Sequence, residues 1–286
     1  MKILVTGSKG FVGKNLKVFL KIKKFNILEF NRGDSDYILY NNLVSCDLIC
    51  HLAGENRPKD QKLFYKNNTE LTKKICDFLI KKKIKKKIIF SSSIRKNPNS
   101  HYSKTKIQCE KILLNYKNKT NAQVSILRFP NIFGKWSKPN YNSVVATFCH
   151  NILRQKKIKV FDKNEMINLI YIDDAISEIS KNFGKKNHKT FPQINKISKI
   201  KISKIAEILK DFNKKLISNY VQKFENIFFK NLHSTFISFI PLNKFCFNIK
   251  SNKDKRGDFI EFSKSIDEDQ ISIFSIKKNK DRGDHF

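Results

Sequence analysis

A tyrosine and a lysine four positions apart have the spacing of a proton-transfer pair. Tyr102 and Lys106 open a segment with helical periodicity, so their side chains would share one face of the helix. Tyrosine is a weak acid with an unperturbed pKa of about 10, and a nearby ammonium lowers that pKa by stabilising the phenolate. The pair therefore predicts that Tyr102 donates a proton to a carbonyl oxygen.

A run of serines could supply the hydroxyl that holds the same carbonyl. Ser91, Ser92 and Ser93 follow the apolar residues 88–90, at the kind of strand end where ligands bind in open parallel sheets. We expect Ser93 to be this donor, with Ser92 as the alternative. In a lysine-rich chain a Tyr-x-x-x-Lys spacing also arises by chance on a solvated helix face, so the prediction depends on the motifs that accompany it.

A glycine-rich turn near the N-terminus is typical of a dinucleotide phosphate site. It follows the apolar run 2–6 and precedes a helical pattern that begins at residue 11. The first glycine permits a tight turn, the second lets the backbone approach a pyrophosphate, and the third lets helix and strand pack closely. The N–H groups of the helix N-terminus would bind the phosphates. The cofactor contacts expected here are Gly7, Lys9, Gly10, Phe11, Val12 and Gly13.

The residues after the second apolar strand, 26–30, favour NADP(H) as the cofactor. Sites selective for NAD usually place an acid here, where it binds a ribose hydroxyl. This chain has Asn31 and Arg32 instead; the asparagine would not repel a 2′-phosphate, and the arginine could pair with it. NAD(H) is the alternative, with Arg32 as one of many surface cations.

Strand and helix patterns alternate through the first part of the chain. Short apolar runs separated by amphipathic helices indicate a parallel sheet covered on both faces. The predicted strands are 2–6, 26–30, 47–52, 87–90 and 124–129, and the predicted helices are 11–20, 68–80, 102–115 and 200–212. Short β-like runs follow at 235–239, 246–249, 259–262 and 271–276. We place a domain boundary at residue 235, between segments 1–235 and 236–286.

The strongly basic composition raises the question of whether the partner is a polyanion such as a nucleic acid. The chain carries 58 Lys and Arg against 25 Asp and Glu, a net charge of +33, which would suit a polyanion partner. The lysines are spread along the chain, however, so we expect no specific nucleic acid.

Six cysteines without a C-x-x-C pair predict free thiols in a reducing cytosol. We expect no signal peptide, no membrane span and a cytoplasmic location.

Together these motifs resemble the extended short-chain dehydrogenase/reductases, which include sugar-nucleotide epimerases, dehydratases and reductases. Four further segments are similar to that family: 51–54, 68–72, 128–134 and 171–174. The resemblance implies an α/β fold, a Rossmann-like doubly wound parallel sheet with a small substrate-binding lobe. It also implies cofactor contacts from Leu52, Ala53, Asn68, Tyr102, Lys106 and Pro130.

Segments 53–60, 133–136 and 139–151 resemble the two-domain capsular-polysaccharide enzymes within that family. This resemblance implies NADPH-dependent reduction of the 4-keto group of a UDP-4-keto-6-deoxy-N-acetylamino sugar. The product would be UDP-2-acetamido-2,6-dideoxy-L-talose, on the route to UDP-N-acetyl-L-fucosamine. We expect Asn131, Lys135 and Asn142 to contact this UDP-sugar, and we expect a homodimer.

In those enzymes a zinc-binding cupin epimerises the sugar at carbon 3. Segments 256–259 and 270–276 resemble its first strands, so we expect 236–286 to be an incomplete, cupin-like β fragment. Catalytic zinc needs about three protein ligands, and this sequence offers one candidate, His285. We therefore expect neither bound zinc nor epimerase activity from this segment.

Three other functions are compatible with the sequence. The chain could be an epimerase or dehydratase that recycles tightly bound NAD, which analysis of the cofactor in purified protein would reveal. It could be an inactive remnant, which a turnover assay would reveal. It could also be a basic nucleic-acid-binding protein on a Rossmann scaffold, for which binding at physiological salt is the test.

Overall fold

The structure, a computed structural model, describes residues 1–56, 60, 64–94, 100–184, 189–217, 223–246, 249–264 and 270–281. The chain divides into two compact units that alternate along the sequence. One comprises Met1–Val144 and Met166–Ile200, and the other Val145–Glu165 and Lys201–Phe286. None of the junctions between these units along the sequence falls at residue 235, and the domain boundary placed there stays a prediction.

A five-stranded parallel sheet forms the centre of the first unit. Its order is β2-β1-β3-β4-β5, and all four pairings are parallel. The strand order reverses between β1 and β3, and such a reversal opens a crevice at the carboxyl edge of the sheet. The predicted doubly wound sheet is therefore confirmed. The strands are β1 (Lys2–Thr6), β2 (Asn26–Phe30), β3 (Leu48–His51), β4 (Lys87–Ser93) and β5 (Val124–Phe129).

Helices cover both faces of this sheet because successive strand side chains point to opposite sides. Leu4 packs with the helices of one face, whereas Ile3 and Val5 pack with those of the other. In the described residues the α-helices are α1 (Phe11–Ile22), α2 (Asp36–Ser45), α3 (Leu71–Lys81), α4 (His101–Thr120), α5 (Val144–Leu153), α6 (Ile172–Lys181), α7 (Ile202–Ile217) and α8 (Ile227–Ile237). Helices α2, α3 and α4 cover the side of Leu4, and α1 and α6 cover the other.

A second sheet of the first unit is formed by three strands that follow β5 in the sequence. It consists of β6 (Asn131–Phe133), β7 (Met166–Tyr171) and β8 (Ser198–Lys201), in the order β6-β7-β8. Gly134 ends β6 with a φ of +149°, and a Cβ there would lie 2.2 Å from Cγ2 of Ile172. Glycine is thus required where the chain leaves this sheet.

The second unit contains a three-stranded antiparallel sheet of order β11-β10-β9. Its strands are β9 (Ser251–Lys253), β10 (Asp258–Lys264) and β11 (Gln270–Phe274). The predicted strands at 259–262 and 271–276 fall on β10 and β11. Residues 247 and 248 of the predicted run 246–249 lie outside the described residues. That this sheet is part of a cupin stays a prediction.

The strand predicted at 235–239 is wrong, because Thr235, Phe236 and Ile237 end helix α8. The helix is capped by Asn226, whose side-chain oxygen accepts a hydrogen bond from the N–H of Phe229 at 3.1 Å. Leu232 and Phe236 are both fully buried, and their four-residue spacing is that of a helix face. Helical burial here outweighs the β propensity of the local sequence.

In the parts of the chain that the structure describes, no helix is both long enough and apolar enough to cross a bilayer.

Candidate active site

A cleft of about 920 Å³ lies in the first unit, within the size range of ligand sites. The glycine-rich turn, the end of β4, the start of α4 and the segment after β5 line it. The predicted site residues on its wall are Lys9, Gly10, Phe11, Val12, Leu52, Ser93 and its alternative Ser92, Tyr102, Lys106, Pro130, Asn131 and Asn142. The structure thus brings together predicted residues that are far apart in the sequence, from Lys9 to Asn142, which are 133 positions apart.

The phosphate loop (residues 7–13) is tight enough to need glycine at two positions. Gly7 has a φ of +71°, and a Cβ there would lie 2.8 Å from the backbone of Ala53. At Gly13 a Cβ would lie 2.2 Å from the carbonyl oxygen of Gly7. Gly10 precedes α1, whose N-terminus has no side-chain cap and borders the cleft. An open helix N-terminus beside a close backbone turn fits the pyrophosphate of a dinucleotide.

Gly13→Ala should weaken dinucleotide binding by about tenfold or more. The added methyl group would displace the carbonyl of Gly7, and overpacking of this kind costs about 1–3 kcal/mol. Isothermal titration with NADPH measures the effect. Gly184→Ala is the matched control, since Gly184, like Gly13, lies outside the positive-φ region and a Cβ there meets nothing within 4 Å. Wild-type affinity in Gly13→Ala would contradict the packing argument.

Asn31 and Arg32 lie at the end of β2, but neither lines the cleft. Asn31 is buried; its amide nitrogen donates to the Ser8 hydroxyl at 2.9 Å, and its oxygen accepts from the N–H of Lys9 at 2.9 Å. Asn31 therefore braces the phosphate loop. Arg32 forms an ion pair with Glu55, a partner that the sequence analysis did not identify.

Asn68 and Ala53 also act behind the cleft wall. The Asn68 side chain accepts from the N–H of Glu55 at 2.6 Å and donates to the carbonyl of Glu55 at 3.2 Å. It donates as well to the Thr105 hydroxyl at 3.1 Å. Ala53 donates its N–H to the Thr6 hydroxyl at 3.2 Å. Asn68 thus joins the segment after β3 to helix α4 and steadies both.

His51 occupies a buried position beneath the site. Its Nδ1 lies 2.7 Å from the Thr6 hydroxyl, and its Nε2 lies 2.9 Å from the Thr72 hydroxyl. Burial lowers the pKa of His51 to about 3, and the positive charge of Lys106 acts in the same direction. A neutral imidazole with both nitrogens engaged holds β1, β3 and α3 together.

Tyr102 and Lys106 lie on one face of α4, as predicted. The Lys106 ammonium is 5.8 Å from the centroid of the Tyr102 ring and donates to the carbonyl of Ser91 at 2.7 Å. Ser100 caps the helix by accepting from the N–H of Ser103. The capped helix start presents the tyrosine to the cleft.

The predicted lowering of the Tyr102 pKa is wrong for this structure. Burial raises the pKa of Tyr102 to about 12, and neighbouring Cys109 and Tyr141 add to the increase. Burial lowers the pKa of Lys106 to about 8, although Cys109 and Glu110 oppose that shift. Tyr102 is therefore a neutral phenol at physiological pH, the protonation state that a proton donor needs.

The structure separates the two candidate serines. Ser92 is buried and donates its hydroxyl to Glu110 at 2.7 Å. The same carboxylate accepts from Nε of Arg128 at 3.0 Å, so Ser92 belongs to a hydrogen-bonded network with Glu110 and Arg128. Both serines line the cleft with Tyr102, but the Ser92 hydroxyl is already donated to Glu110, which favours Ser93 as the second hydroxyl donor.

Two of the three predicted substrate residues line the cleft, and the third does not. Asn131 and Asn142 line the cleft, and the Asn131 amide also donates to the carbonyl of Asn168 at 3.2 Å. Lys135 does not line it; its ammonium lies 5.3 Å from the centroid of the Trp136 ring, and Trp136 does line the cleft. The physical reason is a cation–π contact, since a cation within about 6 Å of a ring centroid is attracted to the ring face.

Sequence reasoning missed several residues of the cleft segment (residues 136–143). Lys138 and Tyr141 line the cleft, and the Lys138 ammonium lies 5.4 Å from the centroid of the Tyr141 ring. The Tyr141 hydroxyl donates to Glu55 at 2.9 Å. Aromatic and cationic residues clustered next to the predicted pocket were the signal that could have found them.

Parts of two motifs cannot be placed. Residues 57–59 of the segment 53–60, and His285 with its neighbours from 282 onward, lie outside the described residues. Among the residues that are described, no group of three or more His, Cys, Asp or Glu side chains could hold a metal ion.

The chain belongs to the NAD dependent epimerase/dehydratase family, whose model matches residues 3–191. It is therefore a member of a class of nicotinamide-dependent enzymes that includes sugar-nucleotide reductases and epimerases.

Particular relatives narrow this class. The UDP-2-acetamido-2,6-beta-L-arabino-hexul-4-ose reductase of Pseudomonas aeruginosa is 35% identical over 288 aligned positions, which cover 100% of this chain and 77% of that protein. The crystal structure of the capsular polysaccharide assembling protein CapF from Staphylococcus aureus has a TM-score of 0.84 and 37% identity, covering 96% of this chain and 75% of that one. The NAD complex of Thermus thermophilus UDP-glucose 4-epimerase, with a TM-score of 0.69, 14% identity and coverage of 84% and 99%, shares the fold alone. The predicted resemblance to the family and to its capsular-polysaccharide enzymes is confirmed.

Proposed function

We propose that this chain reduces the 4-keto group of a UDP-4-keto-6-deoxy-N-acetylamino sugar with NADPH. The product is UDP-2-acetamido-2,6-dideoxy-L-talose, on the route to UDP-N-acetyl-L-fucosamine for capsule or O-antigen polysaccharide. The observation that carries this proposal is the single cleft in which the phosphate loop, Ser93, Tyr102 and Lys106 come together. The name of the Pseudomonas aeruginosa relative, a 4-ulose reductase similar over the whole of this chain, supports the choice of substrate.

The residues of the cleft suit a ketone reduction. When bound, the reduced nicotinamide supplies the hydride. Ser93 and Tyr102 donate hydrogen bonds to the ketone oxygen, and Tyr102 transfers its proton to that oxygen as the carbonyl carbon becomes C–H. The products are the secondary alcohol and the oxidised cofactor. Lys106 stabilises the phenolate that remains on Tyr102, and solvent then returns a proton to that phenolate. We also assign Lys106 to a hydrogen bond with the nicotinamide ribose.

The charges at the end of β2 support NADPH as the reductant. Arg32 is a cation with 72% of its side chain exposed. The acid of this strand, Glu29, accepts hydrogen bonds from Ser8 and Lys17. Although burial alone would raise the pKa of Glu29, these hydrogen bonds lower it below its usual value. A carboxylate that is already occupied does not replace the ribose-binding acid of NAD sites.

The remaining parts of the proposal concern cellular location, oligomeric state, metal content and partners. We assign the enzyme to the cytoplasm as a homodimer and assign it no zinc. The UDP-sugar is its small-molecule partner, and we assign it no specific nucleic acid.

We expect the purified chain to consume NADPH only when a UDP-4-keto sugar is supplied, made in situ by a dehydratase. The KM for NADPH should be lower than that for NADH. Arg32→Ala should raise the KM for NADPH by about tenfold and leave that for NADH unchanged, because a charge-assisted contact to the 2′-phosphate is lost. The absorbance of the reduced nicotinamide and the product mass are the measurements. Tightly bound NAD that survives purification, with no net consumption of NADPH, would instead indicate an epimerase or dehydratase.

A further inference from the structure

Glu55 is a buried carboxylate that joins two distant parts of the chain. It is 9% exposed. One of its oxygens accepts a hydrogen bond from the Tyr141 hydroxyl at 2.9 Å, and the other accepts from the Arg32 guanidinium. A buried charge is costly unless it is paired, so the two contacts together explain how a carboxylate is tolerated here.

The backbone of Glu55 is fixed independently of its side chain. The Asn68 amide holds both the N–H and the carbonyl of Glu55, at 2.6 and 3.2 Å. Asn68 is in turn bonded to Thr105, whose hydroxyl donates to the carbonyl of Tyr102 at 2.9 Å. The position of Glu55 is therefore set relative to the catalytic helix α4, and its carboxylate is the part that can change partners.

The two partners of that carboxylate face different ligands. Arg32 is the residue to which we assign the 2′-phosphate of NADP(H), and a guanidinium held by a carboxylate must loosen that ion pair to bind a phosphate. Tyr141 lies on the wall of the cleft, next in the chain to Asn142, which we assign to the sugar nucleotide. The same carboxylate thus contacts a cofactor-selecting residue and the cleft segment.

We propose that Glu55 is a specificity-determining residue, which competes with the cofactor 2′-phosphate for Arg32 and holds Tyr141 in the cleft wall. This inference rests on the proposed NADPH-dependent function. Capture of Arg32 by the phosphate leaves the carboxylate to Tyr141, and a hydrogen bond to a carboxylate strengthens as competing donors are withdrawn. Binding of the 2′-phosphate therefore tightens the segment that contacts the sugar nucleotide.

Titration calorimetry on the full chain tests the competition with two probes, 2′,5′-ADP and 5′-AMP. Glu55→Gln keeps an acceptor for Tyr141 but removes the negative charge, so 2′,5′-ADP should bind about three- to tenfold tighter. Tyr141→Phe leaves Arg32 as the remaining described donor to the carboxylate, so 2′,5′-ADP should bind about twofold or more weaker. Affinity for 5′-AMP should stay unchanged in both variants, and thermal unfolding confirms that each is folded.

Steady-state kinetics with the UDP-4-keto sugar test the second role. Tyr141→Phe and Glu55→Ala should raise the KM for the sugar several-fold, with kcat within about twofold, and Glu55→Gln should restore the KM because its amide oxygen still accepts from Tyr141. A merely structural role would not give this rescue.

The outcomes separate this inference from the proposed function. If Arg32→Ala weakens 2′,5′-ADP but the Glu55 and Tyr141 variants do not shift its affinity in opposite directions, the competition is refuted and NADPH selection by Arg32 stands. If Arg32→Ala leaves the affinity for 2′,5′-ADP unchanged, both the inference and the NADP(H) assignment are overturned.

Discussion

Tyr102→Phe is expected to lower kcat by about two to four orders of magnitude, the usual contribution of a positioned proton donor. The substitution removes one hydroxyl from the cleft and keeps the aromatic ring that packs beside Lys106. Without that hydroxyl the developing alkoxide has no acid next to it, because Ser93, as a neutral serine, can bind the oxygen but protonates it poorly. NADPH affinity should stay within about threefold of wild type, since the phosphate loop is untouched. Stopped-flow turnover and calorimetric titration measure the two quantities separately.

The matched control is Tyr141→Phe, the same substitution on the same cleft wall. Its expected effect is on the KM for the sugar and not on kcat, because its hydroxyl is bonded to Glu55 at 2.9 Å. Near-normal turnover by Tyr102→Phe would remove Tyr102 from the mechanism. Equal losses of kcat in both variants would point to general disturbance of the cleft.

The sheet could be predicted from the sequence because its strands are buried on both sides. Runs such as 2–6 and 124–129 are apolar at almost every position, and such runs, when helices separate them, form parallel sheets. Helix α2 was not predicted, since only Leu39 and Leu43 of its residues are buried and two apolar residues give a weak periodic signal. The end of helix α8 was wrongly predicted as a strand, 235–239, because Thr235, Phe236 and Ile237 are β-branched or aromatic residues, although Thr235 and Phe236 are buried in a helix.

The catalytic candidates could be predicted because their chemistry depends on local spacing. Tyr102 and Lys106 belong to one helical turn, and the phosphate-loop glycines belong to one tight turn. The contacts of Glu55 could not be predicted, because its partners Arg32 and Tyr141 stand 23 and 86 positions away. No local pattern encodes a pairing of that kind; it follows from the strand order of the sheet.

The direction of the Tyr102 pKa shift shows a related limit. Sequence spacing places an ammonium near the phenol, which by itself lowers the pKa. It does not reveal how deeply both groups are buried, and burial penalises the charged form of each. In the structure burial dominates both, raising the pKa of Tyr102 to about 12 and lowering that of Lys106 to about 8.

The lowered pKa of Lys106 gives a second large effect. Below about pH 8 this residue is an ammonium that stabilises the Tyr102 phenolate formed on proton transfer. Above that pH it is neutral, so kcat should fall as pH rises, approaching tenfold per unit if the neutral form is inactive. Lys106→Met should lower kcat by about a hundredfold or more and abolish this pH-dependent decrease. The measurement is the pH profile of kcat for both proteins, with NADPH saturating.

Lys104→Met is the control, because Lys104 is exposed on the same helix and should retain both the rate and the pH profile. Unfolding of the chain does not account for the expected decrease in kcat above about pH 8. The pKa of Lys106 is lower in the folded chain than its ordinary value of 10.5, so the unfolded chain binds more protons between about pH 8 and pH 10.5. The contribution of Lys106 to the free energy of unfolding therefore rises with pH across this window. An activity loss there, with thermal stability unchanged or increased, assigns the effect to the chemistry of Lys106, whereas a flat wild-type profile through about pH 9 would show that its charge is not required.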